Sequence, residues 1–186
     1  MTNVLQGRNL YLIGMMGAGK TSVGQVLAKR LNYRFYDMDV LIERVMQQPI
    51  RQIFNDYGEV AFRQIESQVM AELSAYTNAI VATGGGIVLK RQNWSYLHYG
   101  IVVWLDVPIE ELQRRLHKDT TRPLLQDTDP AVKLQQLFTE RHPLYAQADL
   151  HVPFVAGESP EHIADRLLAE LPKILKPVAP EPKPNP

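Results

Sequence analysis

The sequence predicts an α/β domain in which a parallel sheet of five strands is flanked by helices. Short apolar runs alternate with segments of helical periodicity, which is the pattern of strands joined by crossover helices. The 186 residues suffice for one such domain with a substantial core and are too few for two ordinary ones. Glycine-rich or acidic segments follow three of the strands, where doubly wound sheets bind ligands.

The predicted elements follow one another in regular alternation. Apolar runs predict strands over residues 10–13, 34–36, 79–83, 101–105 and 150–152. Helical spacing of apolar residues predicts helices over 21–31, 59–75 and 161–171, one that carries Leu112 and Leu116, and one that carries Leu134, Leu137 and Phe138. No internal repeat is present, so we predict a single domain over residues 1–175.

Two segments are predicted to lie outside the packed domain. Residues 118–129 are polar and lack helical periodicity, so we expect a mobile loop, with a lid over about 117–128. Residues 176–186 contain five prolines in eleven residues. Proline blocks helix formation and favours extended, solvated chain, which predicts a disordered tail.

Composition excludes several classes of protein. Twenty basic residues balance twenty acidic ones, so no overall field attracts nucleic acid or an anionic membrane. The absence of cysteine excludes disulfides, thiolate metal sites and cysteine nucleophiles. No stretch approaches the roughly 18 apolar residues of a membrane span, and residues 1–8 lack the apolar region of a signal peptide. We therefore expect a cytoplasmic protein with no nucleic-acid or membrane partner. We also expect a monomer, although composition does not address the oligomeric state.

A phosphate-binding loop follows the first predicted strand. Gly14-Met15-Met16-Gly17-Ala18-Gly19-Lys20-Thr21 matches the pattern G-x-x-x-x-G-K-[ST] in full. Glycines let backbone N–H groups turn inward around phosphates, and the helix that follows directs its positive end at the same anion. Lys20 is expected to reach the β- and γ-phosphates, and the Thr21 hydroxyl to ligate Mg²⁺. The motif predicts nucleotide binding, and Ser22 belongs to the same predicted site.

Asp37 and Asp39 follow the second strand at the ligand edge of the sheet. Alternate residues of an extended segment point the same way, so both carboxylates can face one cleft. One could hold the metal through water and the other could receive or orient an attacking hydroxyl. The alternative is a helix N-cap at Asp39, because Val40-Leu41-Ile42 follow it.

Gly84-Gly85-Gly86 directly follow the third strand. Three glycines have a high conformational entropy cost, which suggests a backbone that must come close to a ligand. A flexible turn is the alternative.

Several cations are candidates for binding anions, and each has a structural alternative. Arg63 has Glu59 and Glu66 at i−4 and i+3, which an ordinary surface ion pair would explain. Arg115 and Arg122 belong to a basic cluster that could close over a triphosphate or could line a solvated helix face. Arg141 near a helix end could interact with the helix dipole.

Asp106 is an alternative to these candidates, and the histidines add no further one. Asp106, at the end of the fourth strand, is the most natural alternative for a metal-holding carboxylate, unless Val107-Pro108 mark a simple turn. The five histidines show no spacing of metal ligands and receive no role.

Together these segments resemble the shikimate kinase family, over about residues 9–171. The segments that carry the resemblance are Gly14–Thr21, Asp37-Met38-Asp39, Phe62–Glu66, Gly84–Gly86, Arg122-Pro123-Leu124-Leu125 and Arg141–Tyr145. The resemblance implies a three-layer P-loop kinase fold with strand order 2-3-1-4-5. It also implies ATP-dependent phosphorylation of the 3-hydroxyl of shikimate, with Mg²⁺ as cofactor.

The resemblance also implies roles for individual residues. Lys20, Asp39 and Arg122 would be catalytic, with Arg122 carried by the lid. Thr21 and Asp37 would serve the metal, and Arg115 would lie near the adenine. The shikimate-binding residues would be Asp39, Arg63, Gly84, Gly85, Gly86 and Arg141.

One segment departs from the family. An Asp-Thr-type loop usually follows the last strand, whereas Pro153-Phe154-Val155 stand here, so the contacts to adenine stay open. Two alternatives to the main reading also stay open. The protein could be another small-metabolite kinase, such as a gluconate kinase, or a catalytically silent nucleotide-binding protein.

Overall fold

The computed structural model describes residues 5–117 and 129–175, which form five strands and seven α-helices. The elements are β1 (Leu10–Ile13), α1 (Lys20–Leu31), β2 (Arg34–Asp37), α2 (Met38–Met46), α3 (Ile50–Ser74), β3 (Ala79–Ala82), α4 (Arg91–Leu97), β4 (Ile101–Asp106), α5 (Ile109–Leu116), α6 (Pro130–Tyr145), β5 (Leu150–Pro153) and α7 (Pro160–Ile174). A short 3₁₀ helix (Ile87–Leu89) lies between β3 and α4.

The five strands form one parallel sheet in the order β2-β3-β1-β4-β5. The predicted fold class and strand order are thereby confirmed. In register, Leu12 of β1 lies between Ala82 of β3 and Val103 of β4. Every residue of β1 and β3 is buried, as expected for central strands of a sheet covered on both faces.

This topology brings the predicted functional segments to one edge. Because parallel strands all end on the same side, the segments after β1, β2 and β3 emerge next to one another. They are the phosphate loop, the Asp37–Asp39 segment and the triple glycine.

The helices differ from the prediction in three places. α3 consists of two helical segments that join at Gly58, whose torsions are non-helical (φ 76°, ψ 171°); the second segment begins near the predicted residue 59, and the first, from Ile50, was not predicted. α2 and α4 were not predicted as helices. Both are short: α2 buries only Met38 and Ile42, one turn apart, and α4 spans seven residues. Such short segments carry too few periodic positions to be recognised in the sequence.

The predicted lid beyond residue 117 and the predicted tail at 176–186 lie outside the described residues, so both stay predictions. Within residues 5–117 and 129–175, no helix has the length and apolar character needed to cross a membrane.

Candidate active site

The loop between β1 and α1 adopts conformations that require glycine. Gly17 and Gly19 have φ angles of 79° and 95°, in the left-handed region that strains other residues. A Cβ on Gly14 would stand 2.6 Å from the carbonyl oxygen of Leu105, so the loop crosses directly over the end of β4. α1 begins at Lys20, which places the positive end of its dipole at the loop.

The other loop residues anchor it to the core. Met15 and Ala18 are each 3% exposed and belong to the hydrophobic core. Packing of these two side chains in the hydrophobic core therefore fixes the position of the loop.

The Lys20 ammonium lies inside the phosphate loop. It donates hydrogen bonds to the carbonyl oxygens of Gly14 (2.9 Å) and Met15 (2.8 Å), and the side chain is buried. The ammonium group therefore lies next to the space in which the loop would enclose an anion, and it can bind that anion through charge-assisted hydrogen bonds. The geometry supports the prediction that Lys20 contacts phosphate.

Thr21 and Asp37 meet at the outer side of the loop. The Thr21 hydroxyl donates a 2.7 Å hydrogen bond to Asp37 Oδ2. A hydroxyl and a carboxylate are hard oxygen ligands of the kind that Mg²⁺ prefers, so this pair fits the predicted metal site. Asp106, the competing carboxylate, instead contacts His151, with 2.8 Å between Oδ2 and Nε2.

Asp37 also caps helix α2. Its Oδ1 accepts hydrogen bonds from the backbone N–H groups of Asp39 (3.0 Å) and Val40 (3.4 Å). The alternative that placed the N-cap at Asp39 is therefore wrong by two residues. Asp39 lies in the first turn of α2, and it lines the cleft described next.

A cleft of about 240 Å³ opens between these segments. Its lining residues are Met16, Gly17, Gly19, Lys20, Thr21, Ser22, Asp37, Asp39, Thr83 and Gly85. The structure thus brings the phosphate loop, both aspartates and the triple glycine to one cavity, as the sequence predicted.

Arg63 lies in a buried ion-pair network beside this cleft. Its Nη1 donates to Glu66 Oε2 (2.9 Å), and its Nη2 donates to Glu59 Oε1 (3.0 Å). The side chains of Arg63 and Glu66 are only 9% and 1% exposed. The predicted partners are right, but the alternative of an ordinary surface pair is wrong because Arg63 is inside the protein.

The electrostatics of this network are set by burial and by opposite charges. Burial raises the pKa of Glu66 above its ordinary value, and the neighbouring Arg63 opposes the rise without cancelling it. For Arg63 burial acts to lower the pKa, but the two glutamates leave it above its ordinary value. Glu66 Oε1 has no hydrogen-bond partner among the described residues.

Arg141 is also buried, although it lies in the last turns of α6. It is 1% exposed, and its Nε has no hydrogen-bond partner within residues 5–117 and 129–175. A cation that merely interacted with the helix dipole would lie at the surface. A buried guanidinium with an unused donor instead suits an anionic ligand.

The triple glycine packs against these charged side chains. A Cβ on Gly84 would stand 2.5 Å from Glu66 Oε1 and 3.3 Å from Asp39 Oδ1, and one on Gly86 would overlap the Arg63 guanidinium. None of the three has a positive φ. Gly84 and Gly86 are therefore needed for space rather than for unusual torsions, which disfavours the flexible-turn alternative, whereas a Cβ on Gly85 would meet its neighbours at ordinary contact distances.

The two arginines at the end of α5 have different environments. Arg114 is 74% exposed and pairs with Glu111. Arg115 donates from Nη1 to the Gly17 carbonyl oxygen (2.9 Å), and its guanidinium carbon lies 5.3 Å from the centre of the Phe154 ring. Of these two arginines, Arg115 therefore contacts the phosphate loop, and the solvated-face alternative applies to Arg114.

The chain departs from the family pattern in the segment at the end of β5. Backbone groups of this segment form hydrogen bonds with other parts of the protein. The Phe154 N–H donates to the Asp106 carbonyl oxygen (2.8 Å), and the Pro153 carbonyl oxygen accepts from Arg166 Nη2 (2.7 Å). What this segment offers to a ligand near Arg115 is chiefly the ring of Phe154.

Some residues were missed, and one lies outside the described chain. Glu66 and Tyr145 have no functional role in the prediction, although both lie in the segments that carry the resemblance. Their place in those segments is the one signal in the sequence, since their burial is visible only in the structure. Arg122, the predicted lid residue, falls in 118–128 and lies outside the described residues.

Comparison with known proteins gives consistent results. A family model described as "Shikimate kinase" matches residues 16–172. The chain is 56% identical over 179 residues to the shikimate kinase of Nostoc punctiforme, covering 96% of this chain and 99% of that protein.

Solved structures agree with this similarity. The solved structure of shikimate kinase from Acinetobacter baumannii in complex with shikimate superposes with a TM-score of 0.83 at 40% identity, covering 87% of this chain and 90% of that one. A gluconokinase from Sinorhizobium meliloti superposes with a TM-score of 0.61 at 18% identity, covering 90% and 93%. The second likeness shows a shared fold alone.

Proposed function

The chain belongs to the shikimate kinase family and phosphorylates shikimate with ATP, and we propose that two walls of one cleft carry this reaction. The phosphate wall consists of residues 14–22. The acceptor wall consists of Asp39, Arg63, Gly84–Gly86 and Arg141.

The contact between the two walls at Gly85 carries this assignment. A Cβ on Gly85 would stand 3.4 Å from the Met16 nitrogen of the phosphate wall and 3.5 Å from Arg141 Nη1 of the acceptor wall. Phosphoryl transfer depends mainly on positioning and charge neutralisation. Two groups bound on walls this close are held within reach of each other.

The acceptor wall suits a small carboxylate with hydroxyl groups. Arg63 and Arg141 are buried guanidinium groups, and guanidinium matches a planar carboxylate by paired hydrogen bonds. We assign them to the shikimate carboxylate. The Arg141 Nε, which has no partner among the described residues, supports this role.

We assign Asp39 to the hydroxyl that reacts. Its carboxylate stands beside Gly84 and lines the cleft that Lys20 also lines. The 3-hydroxyl oxygen forms a bond to the γ-phosphorus, the bond from that phosphorus to the β–γ bridging oxygen breaks, and ADP leaves with the electron pair. Asp39 orients the hydroxyl and receives its proton.

The phosphate wall suits the triphosphate of ATP. Lys20 would exchange its contacts to Gly14 and Met15 for oxygens of the β- and γ-phosphates. Thr21 and Asp37 would hold Mg²⁺, Asp37 through water, and the ion would neutralise phosphate charge during transfer. Arg115 and Phe154 would lie against the adenine, and Arg122 would arrive from the lid.

A coupled assay of ADP release tests this function. Purified protein is supplied with ATP and Mg²⁺ and with shikimate, gluconate or a nucleoside monophosphate in turn. We expect ADP release with shikimate only. Release with gluconate in place of shikimate would favour the small-metabolite alternative, and nucleotide binding without any ADP release would favour the silent one.

The expected monomer and the cytoplasmic location stay predictions. The net charge of zero and the lack of cysteine support the cytoplasmic location. Sedimentation at several concentrations would test the oligomeric state.

A further inference from the structure

Tyr145 places a buried hydroxyl where the two walls of the cleft meet. It is the last residue of α6 and lies one helical turn after Arg141. Its side chain is completely buried. A buried hydroxyl needs a partner, because leaving it without one costs free energy.

The partners of this hydroxyl belong to both walls. It donates a 2.5 Å hydrogen bond to the carbonyl oxygen of Gly85, and it lies 3.6 Å from the sulfur of Met15 in the phosphate loop. Its ring stacks on Trp104 of β4 at 6.0 Å between centroids. The ring is thus fixed by the core while the oxygen is directed at the triple glycine.

The protonation state suits a permanent donor. Burial raises the pKa of Tyr145 to about 12, although the nearby Arg141 acts to lower it. With this pKa the hydroxyl keeps its proton at neutral pH and donates rather than only accepts.

The Gly85 peptide is a sensitive place for such a bond. Glycine lacks a side chain that would restrict its torsions, so a neighbouring contact must fix the peptide. A Cβ on Gly85 would be 3.4 Å from the Met16 nitrogen and 3.5 Å from Arg141 Nη1, so this residue is close to both walls. A rotation of this peptide would change the spacing of the acceptor and phosphate walls.

We propose that Tyr145 is a positioning residue for phosphoryl transfer, whose hydroxyl holds the Gly85 peptide so that acceptor and γ-phosphate meet in line. The proposal rests on the function assigned to the two walls. It deepens that function by assigning the alignment to a residue that touches neither substrate.

Tyr11 offers a matched control. It is also a completely buried tyrosine, and its hydroxyl accepts a 3.2 Å hydrogen bond from Asn9 Nδ2. It lies on β1 but points into a network with Asn9 and Tyr76 at the opposite end of the strand from the phosphate loop. Tyr11→Phe and Tyr145→Phe each remove one buried oxygen, but of the two only the Tyr145 hydroxyl contacts Gly85, which lines the cleft.

The experiment compares steady-state kinetics of wild type, Tyr145→Phe and Tyr11→Phe with shikimate and ATP varied separately. We expect Tyr145→Phe to lower kcat/KM for shikimate about tenfold, the effect of leaving one buried carbonyl unpaired. The KM for ATP should change by less than about twofold, because Lys20, Thr21 and the backbone N–H groups of the phosphate loop are unchanged. Tyr11→Phe should match wild type in both, whatever its melting temperature.

Two results would overturn the proposal: a Tyr145→Phe enzyme whose kcat/KM for shikimate equals that of Tyr11→Phe, or an equal rise of KM for both substrates. If Tyr145→Phe is unstable at assay temperature, shikimate binding measured by calorimetry at low temperature provides the same comparison. A wild-type protein that releases no ADP with shikimate would instead refute the proposed function itself.

Discussion

Arg63 and Glu66 form an ion pair of 2.9 Å inside the protein, with side chains 9% and 1% exposed. Taking two charges out of water costs free energy that the pair repays only through good geometry. An isolated pair of this kind adds little stability, so its location suggests a use for the guanidinium. That use, in the proposed site, is binding of the shikimate carboxylate.

Replacing Arg63 by alanine should separate acceptor binding from nucleotide binding. We expect Arg63→Ala to weaken shikimate binding at least about tenfold, because a charge-assisted pair of hydrogen bonds is lost. ATP binding should stay within about twofold, since Arg63 does not contact the phosphate loop. Calorimetric titration with shikimate and with ATP measures the two affinities. The control is Arg114→Ala, which removes an exposed arginine on α5. Equal loss of both affinities would mean that Arg63 is only structural.

Asp39→Asn should lower turnover while leaving nucleotide binding nearly unchanged. The amide keeps the size of the side chain but cannot receive a proton, so we expect kcat to fall about 100-fold or more. Steady-state kinetics and titration with a non-hydrolysable ATP analogue provide the two readings. Asp56→Asn, on the exposed side of α3, serves as control. Unchanged turnover in Asp39→Asn would remove this carboxylate from the chemistry.

Asp37→Asn should distinguish the metal role of Asp37 from its capping role. Asparagine caps a helix about as well as aspartate, so the free energy of unfolding should change by less than about 0.5 kcal/mol. The Mg²⁺ concentration for half-maximal activity should rise about tenfold, as for other outer carboxylates of metal sites. Thermal melts and Mg²⁺ titrations check the two parts. A large loss of stability with an unchanged Mg²⁺ requirement would assign Asp37 to capping alone.

Gly86→Ala should act through Arg63. The backbone torsions of Gly86 (φ −96°, ψ 2°) are open to alanine, but the added methyl group would overlap the Arg63 guanidinium. We expect the KM for shikimate to rise in the single variant. In an Arg63→Ala background the same substitution should have little further effect, because coupled residues are not additive. Additive effects in this double-mutant cycle would contradict the contact.

The charge of Glu66 should appear in the pH dependence of stability. Its folded pKa lies above the ordinary value of 4.5, so the protonated form is favoured in the folded protein. This contribution to stability is complete below that value and is lost as the pH rises through the folded pKa. Relative to wild type, Glu66→Gln should therefore gain stability as the pH rises above about 4.5. Denaturant unfolding from pH 4 to 8 measures the difference, and the opposite trend would show that Arg63 outweighs burial.

The sequence by itself determined the strands, the phosphate loop and the family. Each of these depends on residues close together in the chain: apolar runs such as Leu10–Ile13, glycines before Lys20, and short motifs in a fixed order. A strand or a turn follows from local torsions and periodicity, so its signal is complete within a few residues. The helical segment that begins at Ile50 and joins the predicted helix at Gly58 was not recognised.

Only the tertiary structure decided how individual side chains are used. Arg63 and Arg141 resembled surface cations in the sequence, and Asp39 resembled a helix cap, because burial and hydrogen bonding depend on contacts between distant segments. Gly86 meets Arg63, and Tyr145 meets Gly85, across gaps of 23 and 60 residues. Their proximity follows from strands that end at one edge of the sheet, and no local pattern records it.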